Sequence, residues 1–394
     1  MNFSNDIEKL INNPAWLTAT KSLRRYLDER GYHSLYKYIV PPSSYVVTPT
    51  FFSQAQSAKR PKLLPNDGFI GCALGYCLTA HVPVPEAKLD EEERELALSL
   101  ADIGLLDLNG ATVSPRRFQL LSVGDRYLFV DAAIHFPEKD IHDIYIGPDS
   151  LLMMYCMGDV ATGNESRALD LCSGSGVIGL VMTKTRTNVV STDISPAALA
   201  LIRINTELNG MEEKISIRKE ALEETLDSTE RFDLVACNPP FVALPPGFDR
   251  LLYATGPDKD GLGYMRALLE KVPNILNDGG EGYFVADMVG DNMGAYFFRE
   301  LASFSEKGGC SIDAFVMNRI DAKLQVKVIK TLLQRLRPDS DKVETETLAA
   351  RFILEELQAS YYYLTVVKIK KGGKTGIRIL NQFITRRFDD YFAK

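Results

Sequence analysis

Short apolar runs alternate with longer amphipathic stretches along the second half of the chain. Ala168–Leu171 (ALDL), Val189–Ile194 (VVSTDI), Lys214–Lys219 (KISIRK), Phe232–Cys237 (FDLVAC) and Gly280–Asp287 (GEGYFVAD) have the length and composition of buried strands. Between the second and third of these, Ser195–Gly210 (SPAALALIRINTELNG) reads as a helix. Continuous apolar strands separated by helices predict an α/β fold with a parallel sheet covered on both faces, and ligands at the carboxyl ends of its strands. Further on, Leu324–Leu336 and Glu344–Leu357 predict two helices separated by RPDSDK. Ala359–Lys371 and Gly376–Leu380 are β-prone and joined through Gly372-Gly373-Lys374-Thr375, which predicts a closing hairpin. That turn is not a phosphate loop, because the earlier glycine such a loop requires is Lys368.

The first 143 residues lack this alternation and predict a mainly helical domain ending in a short β element. Its clearest helix begins at Asp90, with acidic residues in the first turn and Leu96, Leu100 and Ile103 at helical spacing. From Leu106 to Asp131, Asn109-Gly110 and Gly124-Asp125 turns separate β-prone segments. A helix followed by a β-ribbon resembles a winged-helix module, which in some proteins reads DNA and in others dimerises or caps an active site. The only nearby positive charges are Arg116, Arg117 and Arg126.

Composition narrows the partners. Lys and Arg number 45 against 52 Asp and Glu, a formal charge of −7, so no global basic field attracts nucleic acid. No apolar run approaches a membrane span and the first residues do not read as a signal peptide, so a cytoplasmic protein is expected. The six cysteines are scattered without metal-ligand spacing, and reduced thiols and no metal are expected. Cys172 and Cys237 follow apolar strands and read as small, semi-buried residues. His33, His81, His135 and His142 lie outside the motifs described next and read as structural or surface residues.

Two segments carry the candidate chemistry: LDLCSGSGVIGL (Leu169–Leu180) and DLVACNPPF (Asp233–Phe241). In the first, Gly174, Gly176 and Gly179 let backbone approach a ligand closely after a strand. Their phase is shared with dinucleotide folds, so context must decide. Asp170 precedes the turn, and Asp193 ends the next strand where a carboxylate can accept ribose hydroxyl protons. The Asn-Pro-Pro-Phe tetrad after a later strand is not a dinucleotide feature.

With these motifs, the stretch from Ile144 to Ala286 resembles the class I S-adenosylmethionine-dependent methyltransferases. Within them it resembles the amino-methylating group that includes release-factor glutamine methyltransferases. The matching parts are Ile146–Ser150 (IGPDS), LDLCSGSG, TDIS, NPPF, and Thr255–Leu269, where GPDKDGLG lengthens the group's Gly-x-Asp-Gly-Leu segment. The resemblance implies a Rossmann-like sheet over 144–394 that ends in a C-terminal β-hairpin, with residues 1–143 as a substrate-recognition or capping domain. It implies S-adenosylmethionine as cofactor. Gly174 and Gly176 would stand at its methionine part, Asp193 at its ribose, and Glu220 and Ala221 at its adenine edge, with Tyr145 and Asp149 closing over it and Asp170, Ser173 and Ile194 among its further contacts. Asn238, Pro239, Pro240 and Phe241 would form the catalytic tetrad.

The tetrad suits nitrogen because an amide or conjugated amino lone pair is delocalised and a poor nucleophile. Acceptance of the substrate NH2 hydrogens by the Asn238 side-chain oxygen and the Pro239 carbonyl would orient the nitrogen and stabilise its developing charge. The prolines would stiffen the loop, and Phe241 would stack on a planar acceptor. The expectation is an N-methyltransferase acting on an amide, amino or guanidino nitrogen of a small molecule or protein side chain. The alternatives are a nucleic-acid amino-methyltransferase docking through the winged-helix-like region, and a non-catalytic protein that binds the cofactor.

Overall fold

The structure is a computed structural model, and it describes residues 3–34, 72–123, 125–131, 144, 146–158, 166–185, 188–248 and 254–381. The chain opens with α1 (Phe3–Ile11) and α2 (Trp16–Glu29), then α3 (Ala73–Ala80), a short strand β1 (Val84–Pro85) and α4 (Glu91–Asp102). Helix α4 starts where it does because the Asp90 side chain accepts the Glu93 N–H at 2.9 Å while the Glu93 carboxylate accepts the Asp90 N–H at 3.2 Å. This reciprocal cap answers two otherwise unpaired donors, and three glutamates sit at the positive end of the helix dipole. Strands β2 (Leu106–Leu108) and β3 (Thr112–Pro115) follow, turning at Gly110 with φ 72°, and pair in the order β1-β3-β2. Helices followed by a small antiparallel sheet are the arrangement the winged-helix resemblance implied.

The hairpin of β4 (Phe118–Val123) and β5 (Arg126–Asp131) has no solvent face. Leu120 and Phe129 join the core of the amino-terminal helices, whereas Leu121, Leu128 and Val130 join a core of the large sheet. Alternation along a strand delivers its side chains to opposite faces, so the hairpin is a wedge between two apolar cores.

The large sheet is built from α5 (Pro148–Met157), β6 (Arg167–Leu171), α6 (Val177–Met182), β7 (Asn188–Asp193), α7 (Pro196–Leu208), β8 (Ile215–Lys219), α8 (Leu222–Leu226) and β9 (Phe232–Cys237). It continues through α9 (Gly263–Ile275), β10 (Leu276–Asp291), the short β11 (Gly294–Ala295), α10 (Phe298–Gly308), β12 (Cys310–Asp321), α11 (Ala322–Leu336), α12 (Lys342–Ala350), β13 (Tyr361–Lys371) and β14 (Gly376–Asn381). The strand order is β14-β12-β13-β10-β9-β6-β7-β8, and β8, β7, β6, β9 and β10 are parallel. After β8 the chain returns to the other side of β6, and the switch point falls between β6 and β9. Open α/β sheets bind ligands at such a point. This is the α/β sheet with helices that the apolar runs implied.

The closing hairpin does not form. Strand β13 pairs antiparallel with both β10 and β12, which leaves it no free edge, and β14 instead adds parallel to β12. The Gly-Gly-Lys-Thr turn therefore crosses over β12, with Gly372 and Gly373 at φ 82° and 85°. Among the described residues no helix is long and apolar enough to cross a membrane.

Helix α7 joins the two parts of the chain. One apolar cluster runs from Trp16, Leu23, Leu74 and Leu100 to Leu201 and Ile204, and the Trp16 indole donates to the Glu207 carboxylate at 2.6 Å. The exposed edge of β5 is paired by side chains of this helix. Asn205 accepts the Phe129 N–H at 2.7 Å and donates to its carbonyl at 3.1 Å; Asn209 does the same for Tyr127 at 3.0 and 2.6 Å. Four helical residues advance about 6 Å and two strand residues about 6.6 Å, so asparagines at i and i+4 can act as a surrogate strand. Asn205 also donates to the Ser175 carbonyl at 2.9 Å, tying the same helix to the glycine turn. Asn205→Ala should leave three buried backbone groups unpaired and lower stability by roughly 2–4 kcal/mol, read from the urea midpoint. An unchanged midpoint would contradict this role.

Candidate active site

The carboxyl ends of β6, β7 and β8 lie level, since Leu171 pairs with Thr192 and Asp193 with Lys219. Beyond β6 the backbone turns through left-handed conformations at Cys172 (φ 53°), Gly174 (53°) and Gly176 (77°). Glycine adopts these without a steric cost; Cys172 does so against one. The Ser173 N–H donates to the Thr192 carbonyl at 3.0 Å, and its hydroxyl donates to the Asp170 carbonyl at 2.8 Å.

Asp170 is fully buried beneath this turn. Its Oδ2 accepts the Gly179 N–H at 2.9 Å and Oδ1 has no partner. Burial pushes its carboxyl up to about 7. Gly179 is needed for close approach, because a Cβ there would lie 2.6 Å from Ser191 Oγ. Asp193 accepts from the Gly174 N–H through Oδ2 and from the Ser195 N–H through Oδ1, both at 2.9 Å. Each oxygen retains a lone pair for a further donor. Ile194 beside it is 45% exposed, an apolar side chain left open at the rim. Glu220 accepts from Thr225 Oγ1 at 3.2 Å, and the Ala221 N–H donates to the Glu224 carboxylate at 2.9 Å, so both residues are held at the end of β8. Positive-φ glycines, a rim carboxylate with spare acceptor capacity and an open apolar side chain suit a nucleoside ligand with a polar tail.

Strand β9 delivers Asn238 to the same edge. Its amide nitrogen donates to Asp149 Oδ2 at 2.8 Å and to Ser150 Oγ at 2.9 Å, both in the first turn of α5. The NH2 side of Asn238 thus faces Asp149 and Ser150, where a carboxylate oxygen and a hydroxyl oxygen accept. The Asn238 oxygen is then turned away, and no described group donates to it. Asp149 is buried, its Oδ1 has no partner, and burial pushes its carboxyl up despite the Asn238 hydrogen bond. Phe241 is partly buried against the core beneath the sheet.

The lengthened segment after the tetrad braces it. The Val242 N–H donates to the Ala254 carbonyl at 2.7 Å, and the Gly256 N–H donates to the Val242 carbonyl at 3.2 Å. A Cβ on Gly261, which has φ 78°, would lie 2.2 Å from the Phe241 carbonyl oxygen. Arg266 on α9 then gathers Asp258, Asp260 and Glu300 at 3.0, 2.8 and 2.8 Å.

The site thus brings together Asp149, Asp170, Ser173, Gly174, Gly176, Asp193 and Asn238–Phe241, with Ile194, Glu220 and Ala221 along the same sheet edge. Tyr145 lies outside the described residues, as do His135 and His142. Ser150 was not singled out from sequence, although it stands next to Asp149 in IGPDS. His33 stacks on Tyr127 and bonds Ser122, and His81 bonds the Arg116 carbonyl, so both are occupied away from the site.

Residues 148–289 match the family model of the methyltransferase small domain. The release factor glutamine methyltransferase of Clostridium acetobutylicum is 28% identical over 164 residues, 41% of this chain and 49% of that protein. The ribosomal protein uL3 glutamine methyltransferase of Neisseria gonorrhoeae is 30% identical over 208 residues, 50% of this chain and 66% of its own. The ribosomal RNA large subunit methyltransferase F of Pseudomonas putida is 38% identical over 93 residues, 22% of this chain and 29% of its own. The chain therefore spans about half the length of the first of these relatives. Its central part is a class I S-adenosylmethionine-dependent methyltransferase domain. Over part of its length the chain is similar to the glutamine methyltransferases of release factor and ribosomal protein uL3.

The raised Asp170 carboxyl makes stability depend on pH. Between about 4 and 7 the folded state keeps a proton that the unfolded chain releases, so stability from this group falls as pH rises through that window. Asp170→Asn removes the effect. Urea midpoints of the variant should gain on those of the native protein as pH rises from 4 to 7 and then hold a constant gap; parallel curves would contradict the assignment.

Proposed function

We propose that the protein is an S-adenosylmethionine-dependent N-methyltransferase of the cytoplasm whose acceptor is an amide, amino or guanidino nitrogen of a protein side chain or small molecule. The catalytic domain is 144–394, and residues 1–143 recognise or cap the acceptor. The observation that carries this is the Asn238 amide, whose nitrogen is engaged by Asp149 and Ser150 so that its oxygen is left for the acceptor.

Gly174 and Gly176 would hold the cofactor's methionine part through backbone, Asp193 its ribose, and Ile194, Glu220 and Ala221 its adenine side. When bound, the cofactor supplies a methyl group on a positively charged sulfur. The chain's own part is orientation. Asn238 Oδ1 and the Pro239 carbonyl accept the acceptor's N–H hydrogens, aim its lone pair and stabilise the charge that develops on nitrogen. Pro239 and Pro240 restrict the loop, and the Gly256–Gly261 brace holds it from behind, so little ordering is needed on binding. Phe241 offers a face to a planar or cationic group.

The names of the glutamine methyltransferases support a protein side chain as acceptor. The second reading is a nucleic-acid acceptor docked through the winged-helix-like region, and one partial relative is by name an RNA methyltransferase. Against it, the arginines that would serve are engaged internally. Arg116 pairs with Asp107 at 2.7 Å, Arg117 with Asp131 at 2.9 Å, and Arg126 donates to the Leu180 carbonyl and Thr183 Oγ1 at 3.3 and 3.2 Å.

Labelled methyl transfer from S-adenosylmethionine into an extract of cells lacking the protein tests the reading. Label should enter protease-sensitive or small-molecule material, and Asn238→Ala should reduce it by about 10²-fold or more. Label in nuclease-sensitive material would favour the second reading, and label indifferent to Asn238 would overturn the role assigned to that residue.

A further inference from the structure

Strands β12 and β13 are antiparallel neighbours, and Asp321 at the end of one pairs with Tyr361 at the start of the other. Such neighbours need only a tight turn between them. Here the chain inserts residues 322–360 instead, closed at the base by the Ala322 N–H donating to the Ser360 carbonyl at 3.0 Å. The insertion holds α11 and α12, and a wider helical turn over Arg351–Glu356 continues α12. Asp321 caps α11 by accepting the Lys323 N–H at 2.8 Å, and Asp341 caps α12 by accepting those of Val343 and Glu344 at 2.8 and 3.0 Å. All of it lies outside residues 148–289, the part that matches the methyltransferase family model.

The insertion packs on the chain that leaves the tetrad. Ala322, Val326, Ile329 and Leu333 recur at helical spacing along α11 and are buried with Phe352 and Ile353. The same cluster contains Ala243, with Val242, Leu244 and Phe248 packed against it. These four belong to the segment that follows Asn238–Phe241. Pro245 and Pro246 fix φ within that segment and Gly247 turns it with φ 89°, so it is stiff. Arg337, at the end of α11, grips the turn twice. Its Nη2 donates to the Gly247 carbonyl at 2.6 Å, and its guanidinium lies 4.3 Å from the centre of the Phe248 ring. A second contact reaches the insertion from GPDKDGLG, where Lys259 Nζ donates to the Glu356 carbonyl at 3.0 Å and lies 3.7 Å from its carboxylate. The lengthening of that segment therefore carries a residue that meets the inserted helices.

The tetrad is thus supported from two directions. Asp149 and Ser150 on α5 hold Asn238 itself, and the insertion holds the chain beyond Phe241. We propose that the helical insertion 322–360 positions the acceptor side of the site, with Arg337 as the positioning residue that acts through segment 242–248. The proposal rests on the reading of the Asn238 loop as the acceptor site. It adds a second element of acceptor recognition to residues 1–143.

Arg337→Ala removes both contacts, whereas Arg337→Lys keeps a charged donor without the planar stack. Arg337 is exposed, so the urea midpoint and the affinity for S-adenosylhomocysteine should stay at the native values. Hydrogen exchange of the full chain with S-adenosylhomocysteine reads the segment directly. Amides of 242–248 should exchange at least about five-fold faster in Arg337→Ala, with those of β6 and β9 unchanged. Labelled methyl transfer into graded amounts of extract from cells lacking the protein reads the consequence. The amount of extract that gives half the maximal rate should rise at least about five-fold in Arg337→Ala, with the maximal rate within about two-fold and Arg337→Lys in between. Unchanged exchange, or faster exchange with unchanged half-saturation, would overturn the proposal. So would a fall in maximal rate alone, or a variant that loses affinity for S-adenosylhomocysteine. Absence of transfer by the native protein would instead count against the methyltransferase reading on which the proposal stands.

Discussion

A carboxylate buried at the start of a helix must be answered by donors, and the site is organised around the answer that Asp149 receives. Asn238 supplies it, and in doing so loses the freedom to turn its amide. The same hydrogen bond joins the first turn of α5 to the end of β9 and fixes which atom of Asn238 faces outward. Every other feature of the edge makes sense relative to that atom. The prolines limit the loop's freedom, Gly256 and Gly261 pack too closely behind it for a side chain at either position, and the glycine turn after β6 leaves room for a ligand on the adjoining strand.

The amino-terminal part is coupled to this edge through few but specific contacts. Asn205 and Asn209 pair the open edge of β5, and Asn205 reaches on to the glycine turn. The β4–β5 wedge is buried on both faces, so neither core closes without it. The first part of the chain therefore has a physical connection to the glycine turn through the helix that carries Asn205. Arg116 and Arg117, which could have marked that part as a nucleic-acid reader, instead hold its own elements together, and Arg126 ties it to Leu180 and Thr183 of the sheet part.

Much of the sheet was legible because β6, β7, β9 and β10 are largely apolar runs, which double-sided burial explains; only β8 (ISIRK), at the sheet edge, is buried at Ile215 alone. Strand β12 escaped notice for the opposite reason. CSIDAFVMNRID alternates buried and partly exposed positions and carries polar residues at its end, so it lacks the uninterrupted apolar signature. Missing it made Ala359–Lys371 and Gly376–Leu380 look like partners, when β12 lies between them. At the site, the glycines, Asp193 and the tetrad were readable from local spacing. The clamp on Asn238 by Ser150, the asparagine pairing of β5 and the grip of Arg337 on Gly247 were not, since each depends on residues distant in sequence meeting across elements.

The most direct test of the central claim is a crystal structure of the protein with S-adenosylhomocysteine. The account predicts the ribose hydroxyls on Asp193, the thioether between the glycine turn and the Asn238 loop, and the Asn238 nitrogen still on Asp149 and Ser150 with its oxygen open to the acceptor. A ligand bound away from the ends of β6, β7 and β9, or an Asn238 whose oxygen has turned into the helix, would contradict it.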